Sequence, residues 1–148
     1  MKTENEMRIE FDSRSCNEGF ARVAVAAFVA QLDPTLEEIS DIKTAVSEAV
    51  TNAIIHGYEN EVQTIVLGCA IKGRMIELFV EDYGRGIENI EQAMEPLYTT
   101  KPQQDRSGMG FAFMEAFMDR IEVESEVGSG TKVTMWKEIG TLPDETQG

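Results

Sequence analysis

Three separated stretches of this chain carry residue types at spacings that chemistry can use. Glu48 and Asn52 are four apart, so on a helix they stack on one face. Asn52 offers a neutral oxygen, which suits Mg²⁺ when phosphates and waters supply the other ligands. Glu48, one turn earlier, can accept a proton from an attacking hydroxyl or water. Asp82 ends an alternating run that begins at Met75, and the two-residue period aims its carboxylate inward beside Ile76, Leu78 and Val80. An inward carboxylate is costly unless something hydrogen-bonds to it, and the donor edge of a nucleobase is such a group. Gly84 and Gly86 follow at once, letting the backbone turn sharply and approach a ligand. Gly108-Met109-Gly110 opens an apolar segment, and a glycine-bearing helix start favours an anion through its free amides and its dipole. Taken singly, each feature also reads as ordinary structure, such as an Asp-capped strand end. In this order they sketch a nucleotide site with base, metal and phosphate ends.

The elements that must position these groups follow from periodicity and turn chemistry. Met7 to Phe11 alternates as an edge strand, and Ser15 to Glu18 reads as a capping box. The helix it opens carries Phe20, Val23, Ala24, Ala27 and Phe28 at helical spacing, a stripe expected to face the core, with Arg22 off it in solvent. Asp33-Pro34 breaks the chain, and Thr35 to Glu38 offers a second capping box. A long helix then runs to a stop at Gly57, with Ile39, Ile42, Val46, Ala49, Val50 and Ala53 as its core stripe. Strands are expected at 64–71 and 75–82, joined by the hairpin-length link Lys72-Gly73-Arg74. Residues 87–107 show little periodicity, as in a functional or disordered loop. An apolar helix over 111–118 and strands over 121–125 and 131–138 complete the order. The fold class is α+β: a two-layer sandwich of a mixed, mostly antiparallel sheet with helices on one face.

The totals bound the function. The 148 residues are expected to form one domain over 1–148, with 139–148 as a frayed tail. Thirteen basic against 27 acidic residues leave a net charge of −14, which opposes binding to nucleic acid or anionic membrane. No apolar run approaches the length of a membrane span. Cys16 and Cys69 follow neither a zinc nor a redox spacing, and no secretory segment follows Met1, so a cytoplasmic location is expected. His56, at the end of the Glu48 helix, reads as a packed or capping residue rather than a phosphoacceptor. Met109, Met114 and Met118 read as core gap-fillers, and Trp136 as core or sheet face.

Glu48-Ala49-Val50-Thr51-Asn52-Ala53 resembles the N box of the GHKL ATP-binding fold, Asp82-Tyr83-Gly84-Arg85-Gly86 its first glycine box, and Ser107-Gly108-Met109-Gly110-Phe111 its second. That fold is shared by gyrase, heat-shock chaperones, MutL and histidine kinases. Phe20-Ala21-Arg22-Val23, Ala30 to Pro34, Ser47 to Tyr58, Thr99 to Pro102 and Arg106 to Phe111 are similar to the anti-sigma factor kinases in particular. The resemblance implies a serine protein kinase using ATP and Mg²⁺. It would hold a sporulation sigma factor away from RNA polymerase and phosphorylate an anti-anti-sigma protein, acting as a homodimer. By the same resemblance Asn52 would ligate Mg²⁺, Asp82 would accept from the adenine amino group, and Gly84 and Gly86 would shape the base pocket. Ser107, Gly108, Met109 and Gly110 would form the phosphate loop, and Thr131, after Gly130, would lie near the adenine. Glu48 would be the general base, Arg106 would steady the transferred phosphoryl group, and residues 87–107 would be a lid. No segment after Glu138 is expected to act as the transducer of gyrase-like ATPases.

Two rival readings stand beside this one. A nucleotide-gated binding module would need the same pocket but no base at Glu48. The detached ATPase domain of a histidine kinase would be expected beside a dimerisation-and-histidine domain, for which the chain has no room. Within the kinase reading, a stress-response sigma factor is an alternative client.

Overall fold

The structure, a computed structural model, describes residues 4–94 and 110–140. Strand β1 (Asn5–Asp12) leads into helix α1 (Asn17–Val29) and a 3₁₀ turn at Ala30–Leu32. Helix α2 (Leu36–Asn52) continues into a π turn at Ala53–Gly57, followed by the hairpin β2 (Thr64–Lys72) and β3 (Met75–Asp82). A single-turn helix α3 (Ile90–Ala93), helix α4 (Gly110–Phe117), and strands β4 (Arg120–Glu126) and β5 (Gly130–Glu138) complete the order. The sheet runs β1-β2-β3-β5-β4, and each of its four pairings is antiparallel. α1, α2 and α4 bury their apolar faces against Ile65, Leu67, Ile76, Leu78, Val133 and Met135 of that sheet. This is the α+β sandwich expected, with the antiparallel pairing carried through every strand.

α2 starts as its sequence requires. The Thr35 side chain accepts from the Glu38 amide at 3.0 Å, and Glu38 accepts from the Thr35 amide at 2.9 Å. Thr35→Ala is expected to cost about 1 kcal/mol, read as a lower thermal midpoint with no change in ligand binding. Behind this cap, Ile42, Ala45, Val46, Ala49 and Val50 are buried, while Ile39 is only partly so. Each fully buried Val or Ile contributes about 1.5–3 kcal/mol by leaving water.

α1 departs from its expected reading at both its start and its face. Cys16 sits at the N-cap with no side-chain cap, so the capping box of Ser15 and Glu18 does not form. Glu18 instead reaches across to α2, where it accepts from the Ser47 hydroxyl, and it pairs with Arg22 at 3.2 Å. Arg22 is thus held rather than freely solvated. The buried residues are Ala21, Val25 and Val29; Phe20 and Val23 are 53% and 63% exposed. Small Ala21 lets α1 lie close to its neighbours, and Phe20 turns outward to meet the ring of Phe11 on β1 edge-on at 6.1 Å. Residues 87–107, expected to be irregular, contain α3, whose first turn is capped by Asn89 accepting from the Gln92 amide at 3.0 Å. Residues 95–107 of that stretch lie outside the described residues.

Candidate nucleotide site

At the C-terminal end of β3 the sheet delivers Asp82 to the helix side, as the period of Ile76, Leu78 and Val80 dictates. The residue is 5% exposed. Burial pushes its carboxyl up to about 6, against the pull of the Gly84 and Thr131 amides, which favour the charged form. The Gly84 amide donates to Oδ1 at 2.9 Å. The inward, hydrogen-bonded carboxylate expected from the sequence is therefore present.

What surrounds this carboxylate comes from the segment at Gly57, where a helix stop is expected. The end of α2 does not stop at Asn52 but widens into the π turn, where the Tyr58 amide donates to the Ala53 carbonyl at 2.9 Å. That extra residue places Gly57 directly against Asp82: a Cβ at Gly57 would lie 2.7 Å from the carboxyl carbon. The Gly57 carbonyl accepts from the Arg85 amide at 3.0 Å, and a Cβ at Gly84 would sit 2.0 Å from that carbonyl oxygen. Gly84 is thus required for the close approach of two backbones. Tyr58 is buried, accepts from the Tyr83 amide at 2.8 Å, and donates to the Thr64 carbonyl. Burial raises the Tyr58 phenol, so it stays protonated as that donor.

The β4–β5 turn closes the other side. Ser125 Oγ accepts from the Ile87 amide at 2.7 Å and donates to the Gly130 carbonyl at 3.0 Å. Its contact with Thr131 Oγ1 at 2.8 Å is then donated by Thr131. This leaves the Thr131 oxygen as an acceptor beside Asp82, its partner in the β3–β5 register. Gly86 has φ of +80° and lies against the Glu126 carbonyl, so the second glycine of the first box is packed on the end of β4.

Asn52 occupies the last turn of α2, one residue before the π turn that carries Gly57. Its Nδ2 is buried and has no hydrogen-bond partner. A buried amide left unpaired is expensive, and a phosphate oxygen or a bridging water is the kind of group that would satisfy it. Glu48, half-buried one turn earlier, lines a groove of about 450 Å³ together with Ser47, Thr44, Lys43 and Arg22. Among the described residues no cluster of three or more His, Cys, Asp or Glu is arranged to hold a metal ion.

The structure thus brings Asp82, Gly84, Gly86 and Thr131 together at one end of the sheet, with Asn52 at the end of α2, just before the π turn whose Gly57 packs on Asp82, and Glu48 one turn earlier. Gly110 opens α4, which packs on α2. Arg106, Ser107, Gly108 and Met109 lie outside the described residues. His56 lies within the π turn. Gly57, Tyr58, Ser125 and Gly130 were not singled out as site residues from sequence. Only the His-Gly-Tyr run after the helix and the Gly-Ser-Gly turn marked their neighbourhoods, and neither signals a contact with Asp82.

Among the described residues no helix is long and apolar enough to cross a membrane. The family model of the histidine kinase-like ATPase domain matches residues 12–137. The anti-sigma F factor of Clostridium kluyveri is 61% identical over 139 residues, covering 94% of this chain and 98% of that protein. The anti-sigma F factor of Thermoanaerobacter sp. is 58% identical over 141 residues, covering 95% of this chain and 99% of that protein. The fold is also similar, at a TM-score of 0.65 and 23% identity, to a crystal structure of the RsbU and RsbW domains of a Mycobacterium tuberculosis protein. That match covers 91% of this chain but 32% of the longer one. With the carboxylate, the helix end and the glycine turns placed as described, this chain belongs to the anti-sigma F factor family and is built on a histidine kinase-like ATPase domain.

Proposed function

We propose that this protein is an anti-sigma factor of sporulation and an ATP-dependent serine kinase. It holds a sigma factor and transfers the γ-phosphoryl group of ATP to a serine of the anti-anti-sigma protein that opposes it. The observation that carries the ATP reading is Asp82: a carboxylate 5% exposed, fixed by backbone amides, with the end of α2 built against it. Similarity to anti-sigma F factors at about 60% identity supports the sigma-factor reading.

In this reading Asp82 accepts from the exocyclic amino group of adenine, with the Thr131 oxygen beside it. Gly84 and Gly86 keep the floor of the base pocket at backbone thickness. Asn52 supplies the side-chain oxygen available to Mg²⁺, which when bound would neutralise charge on the β- and γ-phosphates; the remaining ligands come from phosphate and water. Ser107, Gly108, Met109 and Gly110 pass amides to the phosphates, and Arg106 steadies the transferred group. The substrate serine enters by the groove beside Glu48, where Arg22 and Lys43 suit an acidic partner segment. Its oxygen bonds to the γ-phosphorus as the bond to the β–γ bridging oxygen breaks; the serine proton passes to Glu48 and ADP leaves. A homodimer in the cytoplasm, with the sigma factor on a surface apart from the ATP pocket, completes the proposal.

Incubation of the protein with Mg²⁺, γ-labelled ATP and lysate of the source cell tests it. Label on a small protein as acid-stable phosphoserine is expected. ATP binding without transfer would replace the kinase with a nucleotide-gated binding module.

A further inference from the structure

Lys137 is a charged side chain in a place where the fold would accept an apolar one. β5 alternates, and the helix-facing positions before it, Val133 and Met135, are buried in the core. Lys137 is the next such position, opposite Ile76, which is fully buried, and its own side chain is only 13% exposed. An ammonium there is costly unless its donors are met. One of them is: Nζ donates to the Phe117 carbonyl at 2.8 Å. Asp41 of α2 lies 3.8 Å away. Phe117 is the last residue of α4, so its carbonyl has no partner within the helix. A cation at that end also complements the helix dipole.

The residues on either side of Lys137 grip the same helix end. The Trp136 carbonyl accepts from the Asp119 amide at 2.8 Å, and the Glu138 amide donates to Asp119 Oδ2 at 2.7 Å. Three consecutive residues of β5 therefore fasten the C-terminal end of α4 and its exit. The helix has eight residues, and its other end is Gly110, the last glycine of the second glycine box. Eight residues span about 12 Å, so a tilt of about 5° at the fastened end moves the far end by about 1 Å. Displacements of that size are expensive where a phosphate must meet fixed amides.

We propose that Lys137 is a positioning residue for the phosphate end of the nucleotide site, acting through α4 by holding its far end against β5 and α2. The inference rests on the nucleotide reading above.

Affinities for ATP and for adenosine, which has no phosphate, separate this role from general stability. Lys137→Met keeps the aliphatic stem and removes the donor. It is expected to weaken ATP binding by about 10-fold while adenosine stays within about 2-fold, and Lys137→Arg is expected to recover most of the loss. Asp119→Ala, at an exposed residue, is expected to show the same selective loss at about 3-fold. It decides the matter if Lys137→Met does not fold. Equal losses for ATP and adenosine, an unchanged ratio, or no recovery with arginine would overturn the inference alone. Wild-type protein that binds neither ligand would overturn the nucleotide reading and this inference with it.

Discussion

Glu48→Gln is expected to lower phosphotransfer by about 10³-fold while ATP and partner affinities stay within about 2-fold. Glutamine keeps the shape of the side chain in the groove shared with Ser47, Lys43 and Arg22, so packing at the middle of α2 is preserved. It cannot take the proton of an attacking serine. General base catalysis is worth about 10²–10⁴ in rate, and positioning and electrostatic stabilisation of the phosphoryl group would remain. Single-turnover labelling of the protein substrate reads the rate, and calorimetric titration reads the affinities. Turnover near that of the wild type would remove Glu48 as the base. A parallel collapse of ATP binding would make it part of the binding site instead.

The second large effect belongs to Asp82. Asp82→Asn is expected to weaken adenosine and ATP alike by about 10- to 100-fold, as for loss of a buried hydrogen bond to a charged acceptor. The pH dependence carries a sharper signature. The carboxyl titrates at about 6 in the free protein because burial, and to a lesser degree the neighbouring Glu81 charge, oppose ionisation. The ionised carboxylate accepts from an adenine amino group much more strongly than the neutral acid, which keeps only its carbonyl oxygen as acceptor and presents an O–H to the donor. Adenosine affinity should therefore be level above pH 6 and fall by about 10-fold per unit below it, while Asp82→Asn should give a flat profile.

Folding stability runs the opposite way, because burial holds the folded-state value above that of an ordinary aspartate in the unfolded chain. The native state then holds this proton more tightly than the unfolded chain does. The contribution is fully present below the unfolded value and is lost as pH rises through about 6. Relative to Asp82→Asn, the ligand-free wild type should gain stability as pH falls from 7 to 5, in denaturant midpoints measured side by side. Affinity that does not change between pH 7 and 5 would place the base end of the ligand away from Asp82. The buried carboxylate is thus a liability in the empty protein, one that a nucleobase donor would relieve in the proposed reading.

Local rules made much of the fold legible. The capping box of Thr35 and Glu38, the period of β3, and the glycines of the two hairpins each depend on residues close in sequence, and each element stands within a few residues of its expected bounds. α1 was the exception. Its composition offers apolar residues all round, from Phe20 and Val23 to Ala21, Val25 and Val29, so helical spacing alone could not say which side turns inward. That choice fell to the small side chains, because a helix lies closer to α2 over Ala21 than it would over Phe20. The partner of Glu18 was likewise invisible: Ser47 is 29 residues away and meets it only once α1 and α2 are packed.

By itself the sequence determined that a carboxylate at position 82 would face inward, that Glu48 and Asn52 would share one side of a helix, and that glycines would follow both. Those statements rest on the fixed periods of strand and helix, which need no knowledge of what lies opposite. Tertiary structure alone decided what lies opposite. It set Gly57 against Asp82 by widening the last turn of α2, and tied Tyr58 to the strand end. It also turned Lys137 inward onto the final carbonyl of α4. Close approach of two backbones depends on which atoms are absent at the contact. A glycine reads the same in the sequence whether it ends a helix or makes room for a carboxylate.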